Sequence, residues 1–167
     1  MRVTRMERKN RQVQIDLSKL KTLRRAVIDS STLIYLSKLK LLEYVAKEVD
    51  LIIPSAVFRE IGSSGIEGVQ VVPPVEAQMK ADAQVVALAR RLGCAVCSDD
   101  KKILLNARKQ GADYFNTLML ILLLKVRKRL TTDETEKKLL QLKRLARYNA
   151  KIWKYGEDLF AWICKNE

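Results

Sequence analysis

The sequence predicts an α/β domain in which a parallel sheet of about four or five strands is flanked by helices on both faces. Two observations lead to this prediction: short apolar runs alternate along the chain with longer segments of helical periodicity, and acidic residues follow the runs at 26–28 and 94–97. Strands separated by helices form βα units, whose strands are parallel. The 167 residues, 48% of them apolar, are enough for a domain with its own buried core.

Local signals set the boundaries of the elements in the first half of the chain. The apolar run 26–28 ends at Asp29, and Ser30 and the residues after it provide a helix N-cap. Pro54 opens a short helix that Gly62 stops. The predicted elements are a strand at 26–28, a helix at 33–49, a strand at 51–53, a helix from 55 through 61 and a strand at 69–72.

In the second half of the chain, glycines and a capping box set the boundaries. Gly93 and Gly111 each follow a helical segment and end it. Thr131 and Glu134 have the spacing of a capping box, which begins a helix. The predicted elements are a helix at 81–92, a strand at 94–97, a helix at 101–110, a strongly apolar helix at 117–130 and a last long helix from 131 to about 155.

Basic residues are concentrated in two flanks of the chain. The net charge is +13, from 32 basic and 19 acidic side chains. Residues 1–25 carry nine basic and two acidic side chains, residues 101–155 carry fifteen and four, and residues 26–100 carry seven and ten. An acidic centre between basic flanks suits a carboxylate site beside a phosphate-binding surface, and it indicates a nucleic-acid partner. The alternative is that these are ordinary basic helices solvated by their lysines.

The residue types present exclude several kinds of chemistry. Histidine is absent, which excludes a Ser–His–Asp triad, a Cys–His dyad and His-ligated zinc. Cys94 and Cys97 have CxxC spacing but lie in an apolar run without a second ligand pair, so we interpret them as core residues. The charged N-terminus has no apolar segment after it and no apolar run is long enough to span a membrane, so we expect a cytoplasmic protein without a membrane partner.

Carboxylates are expected at the carboxyl ends of the strands, where open parallel sheets form their sites. Asp29 follows the first strand and Asp99 and Asp100 follow the fourth, while Asp82 opens one helix and Glu60 lies near the end of another. Converging carboxylates repel one another unless cations bind, and oxygen-only ligands suit Mg²⁺ or Mn²⁺. Such ions activate water and stabilise the attacking and leaving oxygens in phosphodiester cleavage. Each acid taken singly could instead be a helix cap or a solvated helix residue.

Four segments of the chain resemble the motifs of PIN domains, in the expected order and spacing over residues 25–130. They are Val27-Ile28-Asp29-Ser30-Ser31, the segment from Ile53 to Ile61, the segment from Ala81 to Ala89, and the segment from Val96 to Lys102. PIN domains are three-layer α/β/α nucleases, acting mostly on RNA, that bind Mg²⁺ or Mn²⁺ through carboxylates. The resemblance therefore implies a PIN-like nuclease domain at 25–130, with a basic N-terminal segment at 1–24 and a C-terminal helical extension at 131–167.

The resemblance also implies roles for particular residues. Asp29, Asp82 and one of Asp99 and Asp100 would ligate the ion, and Glu60 would ligate it or orient the attacking water. Ser30 or Ser31 would support the site at the edge of the first strand. Thr117, at the start of the apolar helix, would support it too, although the glycine that PIN domains often place directly before this threonine is missing.

The implied function is a metal-dependent endoribonuclease, either the toxin of a toxin–antitoxin pair or an RNA-processing factor. A catalytically silent nucleic-acid-binding module is the competing interpretation. The basic segments outside the resemblance could bind RNA, form a homodimer surface or dock an antitoxin.

Basic side chains on the last two predicted helices indicate a surface for RNA. One cluster ends the apolar helix, and a stripe of residues spaced by seven, Lys137, Arg144 and Lys151, shares a face of the final helix. The predicted nucleic-acid-binding residues are Lys125, Arg127, Lys128, Arg129, Lys137, Arg144 and Arg147.

Overall fold

Five short parallel strands form one sheet. The computed structural model describes residues 2–61 and 67–167, and in that part of the chain the strands are β1 (Arg25–Ile28), β2 (Asp50–Pro54), β3 (Val69–Val72), β4 (Ala95–Cys97) and β5 (Tyr114–Phe115). Their order in the sheet is β3-β2-β1-β4-β5, and every pair is parallel. The predicted α/β fold with a parallel sheet is confirmed, and β1 pairs with β4.

Helices cover the sheet and give the three-layer arrangement. The central helix of one layer, α7, contacts α1, α2, α3, α8 and α9, and α5 packs on β1, β2 and β4 with α6 beside it. The apolar run in α7 is buried from Leu120 to Leu124, which explains why this stretch carries so little polarity. In the described residues the helices are α1 (Arg5–Thr22), α2 (Ser30–Lys38), α3 (Leu42–Glu48), α4 (Ser55–Ile61), α5 (Ala81–Leu92), α6 (Lys101–Lys109), α7 (Thr117–Val126), α8 (Thr132–Leu145) and α9 (Ala150–Lys165).

The strand order reverses between β1 and β4. The chain proceeds from β1 to β2 and β3 on one side, and from β4 to β5 on the other. In such sheets a crevice forms at the carboxyl ends of the strands where the order reverses. Ile28 pairs with Cys97, so Asp29 and Ser98 both come directly after these strands, and the backbone N–H of Asp29 donates to the carbonyl of Cys97 over 3.0 Å.

The two cysteines of the CxxC motif are buried or half-buried, which keeps their thiols protonated. Cys97 is completely buried in β4, and burial raises the pKa of its thiol. Cys94 is half-buried, and burial raises the pKa of its thiol too. A thiol that stays protonated is a poor nucleophile and a poor metal ligand. The two residues are therefore part of the packing of the sheet.

The predicted helix at 33–49 is two helices. α2 ends at Lys38 and α3 begins at Leu42, and Lys40 between them has a left-handed backbone with φ of 57°. Leu39 and Leu41 are both buried, so the chain turns sharply while keeping its apolar side chains in the core. The prediction missed this turn because no glycine or proline marks it.

The predicted long helix from 131 to about 155 is wrong in its length. α8 ends at Leu145 because Ala146 is extended, and Asn149 caps α9 by accepting a hydrogen bond from the backbone N–H of Ile152. Lys151 therefore lies on a different helix from Lys137 and Arg144, and the predicted stripe is interrupted. The helix predicted at 117–130 also ends earlier, at Val126.

Two elements were not predicted from the sequence. The basic N-terminal segment contains α1, which a capping box between Thr4 and Glu7 begins and which buries Val13, Leu17 and Leu20. The short strand β5 carries only two residues and gives no periodic signal. The predicted helix stop at Gly62 lies outside the described residues. None of the helices in the described ranges has the length and apolarity needed to cross a membrane.

Candidate active site

Asp29 stands at the crevice where the strand order reverses. Its side chain is only 4% exposed. One carboxylate oxygen, Oδ1, accepts hydrogen bonds from the Ser31 hydroxyl over 2.8 Å and from the backbone N–H of Thr32 over 3.2 Å, and Oδ2 accepts one from the Ser98 hydroxyl over 2.6 Å. Burial raises the pKa of Asp29, the nearby charge of Asp99 raises it further, and the three hydrogen bonds oppose this shift.

Asp99 lies at the same edge and is held by four donors. Its Oδ2 accepts hydrogen bonds from the hydroxyls of Thr32 and Thr117. Its Oδ1 accepts one from the backbone N–H of Thr117 over 3.1 Å and one from the Tyr148 hydroxyl. The carboxylate is thus fixed from three elements: α2, the start of α7 and the segment between α8 and α9.

The first turn of α2 joins the two acids. The Ser31 hydroxyl donates to Asp29 and accepts from the backbone N–H of Asp99 over 3.2 Å, while Thr32 donates to Asp29 through its backbone and to Asp99 through its hydroxyl. Among the described residues, neither carboxylate forms an ion pair with a lysine or arginine. Two neighbouring carboxylates without a cationic partner, surrounded by hydroxyl oxygens, fit the preferences of Mg²⁺ or Mn²⁺.

The neighbouring aspartate has a different environment. Asp100 caps α6, and its Oδ1 accepts hydrogen bonds from the backbone N–H groups of Lys102 over 2.7 Å and Ile103 over 3.2 Å. Of the two aspartates after β4, Asp99 therefore shares the hydrogen-bond network of Asp29, and Asp100 is directed to the start of a helix.

The other two predicted acids stay outside this network. Glu60 on α4 and Asp82 on α5 are exposed, and neither forms a hydrogen bond or ion pair with the acid pair in the described part of the chain. Within residues 2–61 and 67–167 no three acidic or thiol side chains are close enough to hold a metal ion.

Of the predicted supporting residues, some lie in the hydrogen-bond network of Asp29 and Asp99 and one does not. Ser31 and Thr117 lie in the network, whereas Ser30 makes no contact with it by a hydrogen bond within the described residues. Thr32 and Ser98 also belong to it and were not singled out from the sequence. Both adjoin the predicted acids, so their positions beside Asp29 and Asp99 were a usable signal.

The contact between Tyr148 and Asp99 could not be predicted from the sequence. Tyr148 lies 49 positions after Asp99 and reaches it only because α8 ends before it. Its ring packs against that of Trp153 with 5.1 Å between the ring centres. Burial raises the pKa of Tyr148, and the negative charge of Asp99 raises it further, so the hydroxyl stays protonated and donates.

Two of the predicted RNA-binding cations have structural partners instead. Lys125 is 5% exposed and forms an ion pair with Glu167. Arg127 donates to the backbone carbonyls of Leu20, Leu23 and Glu48 and also pairs with the carboxylate of Glu48. Buried charges need such compensation, because desolvation is costly. Lys125 therefore holds Glu167 against α7, Arg127 holds the end of α7 to α1, Leu23 and the end of α3, and neither is free for phosphates.

The remaining predicted cations are on the surface. Arg129 is exposed but pairs with Glu48. Lys128, Lys137, Arg144 and Arg147 are exposed. Arg147 directly precedes Tyr148, whose hydroxyl donates to Asp99.

The match to a protein-family model agrees with this fold. The family model DUF3368, described as a PIN domain, matches residues 25–154, which is more than half of the chain. Among solved structures, a PilT N-terminus domain protein from the archaeon Sulfolobus solfataricus P2 is 20% identical, with a TM-score of 0.43, over 57% of this chain and 89% of that one. This likeness is too low to carry an argument of its own. None of the curated proteins matches this sequence. On the match to the family model, the chain belongs to the PIN-domain family.

Proposed function

We propose that this protein is a metal-dependent endoribonuclease that hydrolyses RNA phosphodiesters with Mg²⁺ or Mn²⁺ held by carboxylates. PIN domains are generally nucleases, and this chain keeps their fold. The observation that carries the proposal is the pair Asp29 and Asp99, which lie at the carboxyl ends of adjacent strands without a cationic partner among the described residues. A divalent cation would neutralise this pair.

The hydroxyls around the acids would keep them in place for the ion. Ser31 and Thr32 fix the spacing between the two carboxylates, and Ser98 and Thr117 each hold one of them. Ligands whose orientation is set by such partners bind metals more tightly and more selectively. When bound, the ion would lower the pKa of a water and stabilise the oxygens of the cleaved bond.

Asp82 and Glu60 would complete the set from the neighbouring helices. Both are exposed, so their side chains are free to turn towards an ion. We propose Asp82 as a ligand and Glu60 as a ligand or as the group that orients water. Asp99 takes the place of the fourth acid in preference to Asp100, since Asp100 already caps α6.

RNA would be held partly by exposed cations outside the acid pair. Lys128, Lys137, Arg144 and Arg147 carry no ion pair among the described residues. Each phosphate contacted on a single strand changes the logarithm of the affinity by about 0.7 per logarithm of salt concentration. We therefore expect RNA affinity to fall steeply as salt rises.

Two biological roles fit this activity, namely the toxin of a toxin–antitoxin pair and an RNA-processing factor. A small adjacent gene that encodes a DNA-binding protein able to block the cleavage would favour the toxin.

The test is cleavage of a mixed RNA sample by the purified protein. We expect cleavage with Mn²⁺, none with EDTA, and none with Asp29→Asn in either condition. The control is Asp50→Asn, which changes an exposed acid at the other end of a strand and should cleave at the wild-type rate. Cleavage in EDTA, or an unchanged rate for Asp29→Asn, would contradict the proposal. RNA binding without any cleavage would favour the silent module.

A further inference from the structure

The carboxylate of Asp99 accepts as many hydrogen bonds as it has places for. The hydroxyls of Thr32 and Thr117 donate to its Oδ2, and the backbone N–H of Thr117 and the hydroxyl of Tyr148 donate to its Oδ1. An ionised carboxylate offers about four lone-pair positions, two on each oxygen. All of them are taken by these donors, so a metal ion can bind Asp99 only where one donor leaves.

Three of the four hydrogen bonds to Asp99 come from the starts of helices. Thr32 lies in the first turn of α2 and Thr117 begins α7, and both threonines are completely buried. Because protein interiors are closely packed, moving either threonine would disturb its neighbours. Tyr148 instead belongs to residues 146–149, which join α8 to α9 without helical structure, and it is only half-buried. Tyr148 is therefore the donor that can leave at the lowest cost.

The segment that carries Tyr148 has few backbone hydrogen bonds. Within the described residues, the backbone N–H groups of Arg147 and Tyr148 donate to no other backbone group, and Arg147 and Asn149 are exposed. Segments of this kind open more easily than helices do. A cavity of about 370 Å³ lies beside the tyrosine, and Asp99, Tyr148 and Asn149 are among the residues that line it. The side chain of Tyr148 thus has space to turn into.

The helices on either side of this segment are fastened at other places. α8 and α9 both pack on α7, and the Tyr155 hydroxyl on α9 donates to Asp16 on α1. Glu167, which follows α9, pairs with Lys125. Tyr148 can therefore leave Asp99 while α8 and α9 stay in place.

We propose that the Tyr148 hydroxyl occupies a metal-binding position on Asp99 and leaves it when the ion binds. A hydroxyl hydrogen and a metal ion both bring positive charge to a carboxylate oxygen, so the two compete for the same lone pair. This role rests on the proposed function and adds a regulatory contact to it: segment 146–149 is closed on the acid pair in the metal-free protein and is released in the loaded one. The donors to Asp29 come from α2 and Ser98, so Tyr148 acts on Asp99 alone.

The test compares two tyrosines that each donate to an aspartate. Tyr148→Phe removes the donor to Asp99, and the matched control Tyr155→Phe removes the donor to Asp16, which lies outside the hydrogen-bond network of the acid pair. Both tyrosines are half-buried, so the two substitutions should disturb the packing to a similar degree. The probe is Mn²⁺ alone. Its affinity for the purified protein is measured from the free ion that electron paramagnetic resonance detects.

Tyr148→Phe should bind Mn²⁺ about tenfold more tightly than the wild type, because a competing hydrogen bond to a charged group is removed. Tyr155→Phe should bind Mn²⁺ with the wild-type affinity. A merely structural role for Tyr148 predicts the opposite sign, since a loosened site binds metal more weakly. An unchanged or weaker affinity of Tyr148→Phe, or an equal gain in both variants, would overturn the proposed competition.

Trp153 provides a second readout, which reports movement of Tyr148. Its ring packs on that of Tyr148 with 5.1 Å between the ring centres, and the chain has two tryptophans. Mg²⁺, at a concentration that displaces bound Mn²⁺, should change the tryptophan emission of the wild type, and Trp153→Phe should abolish this change. If the emission of the loaded wild type stays the same, Tyr148 does not leave Asp99 and the proposal is wrong.

RNA cleavage judges the proposed function separately. If the wild type cleaves RNA with Mn²⁺ but Tyr148→Phe gains no affinity for the ion, the role of Tyr148 is refuted and the nuclease proposal stands. If Tyr148→Phe binds Mn²⁺ more tightly and neither protein cleaves RNA, the competition at Asp99 is supported and the nuclease proposal fails. If neither protein binds Mn²⁺, the role of Tyr148 is refuted as well.

Discussion

Tyr148→Phe tests whether the C-terminal part of the chain is fastened to the candidate active site. The substitution removes only the hydroxyl that donates to Asp99. The ring remains, and with it the packing against Trp153 at 5.1 Å between ring centres. Asp99 keeps its three other donors, from Thr32 and Thr117.

The expected loss follows from the nature of this hydrogen bond. A hydrogen bond to a charged group contributes about 1.5–3 kcal/mol to stability, and the lower half of that range applies because Asp99 keeps its other donors. We therefore expect the free energy of unfolding to fall by about 1.5–2 kcal/mol in EDTA. For a chain of this size that corresponds to a Tm lower by about 3–8 °C.

The assay is urea denaturation followed by circular dichroism, with Tyr44→Phe as control. Tyr44 is 49% exposed, so its hydroxyl should contribute little. A double-mutant cycle with Asp99→Ala should give a coupling energy of at least about 1 kcal/mol, since the residues are in contact. If the effects of Tyr148→Phe and Asp99→Ala on the free energy of unfolding are additive, the hydrogen bond between Tyr148 and Asp99 contributes no coupling energy and the prediction is wrong.

Three further predictions concern other parts of the molecule. Arg127→Met should lower the free energy of unfolding by about 3 kcal/mol, because three backbone carbonyls lose a charged donor while Glu48 keeps Arg129 as a partner. It should leave the salt slope of RNA binding unchanged, and a stable variant with an altered slope would contradict this. Gly156→Ala should cost about 1–3 kcal/mol in chemical denaturation, because the added Cβ would lie 2.7 Å from Leu118 Cδ1, and a raised Tm would count against it. The pKa of Asp29 is raised in the folded state, so the protonated carboxyl contributes to stability. This contribution is fully present below the unfolded-state pKa of about 3.9 and is lost as pH rises through the folded-state pKa. In EDTA at pH 7, Asp29→Asn should therefore be more stable than the wild type, with a flatter pH dependence; a less stable variant would refute this.

The strands and the placement of the acids could be predicted because both depend on local signals. Apolar runs such as 26–28 are too short for helices, and an acid after a buried strand in a βα unit must lie at the carboxyl edge of the sheet. The sequence alone does not indicate that β1 and β4 are neighbours, and the structure shows that they pair.

The parts that could not be predicted depend on long-range packing or on a single backbone turn. The turn at Lys40 carries no glycine, and the end of α8 at Leu145 is marked only by the cap residue Asn149. Tyr148 contacts Asp99 although the two residues are far apart in the sequence, so no local sequence pattern predicts the contact. The sequence also does not indicate whether Asp99 or Asp100 faces the site, because a shift of one residue at the end of β4 would exchange their two side chains.

That choice offers the most direct test of the central claim, which is that Asp29 and Asp99 form the metal-binding centre of a ribonuclease. The measurement is the Mn²⁺-dependent cleavage rate of Asp99→Asn beside that of Asp100→Asn. Asparagine caps helices as well as aspartate does, so Asp100→Asn should fold and cleave at nearly the wild-type rate. Asp99→Asn should lose more than about 100-fold, because even partners outside the ligand set contribute about 10–100-fold. Equal rates for the two variants, or a loss confined to Asp100→Asn, would contradict the account.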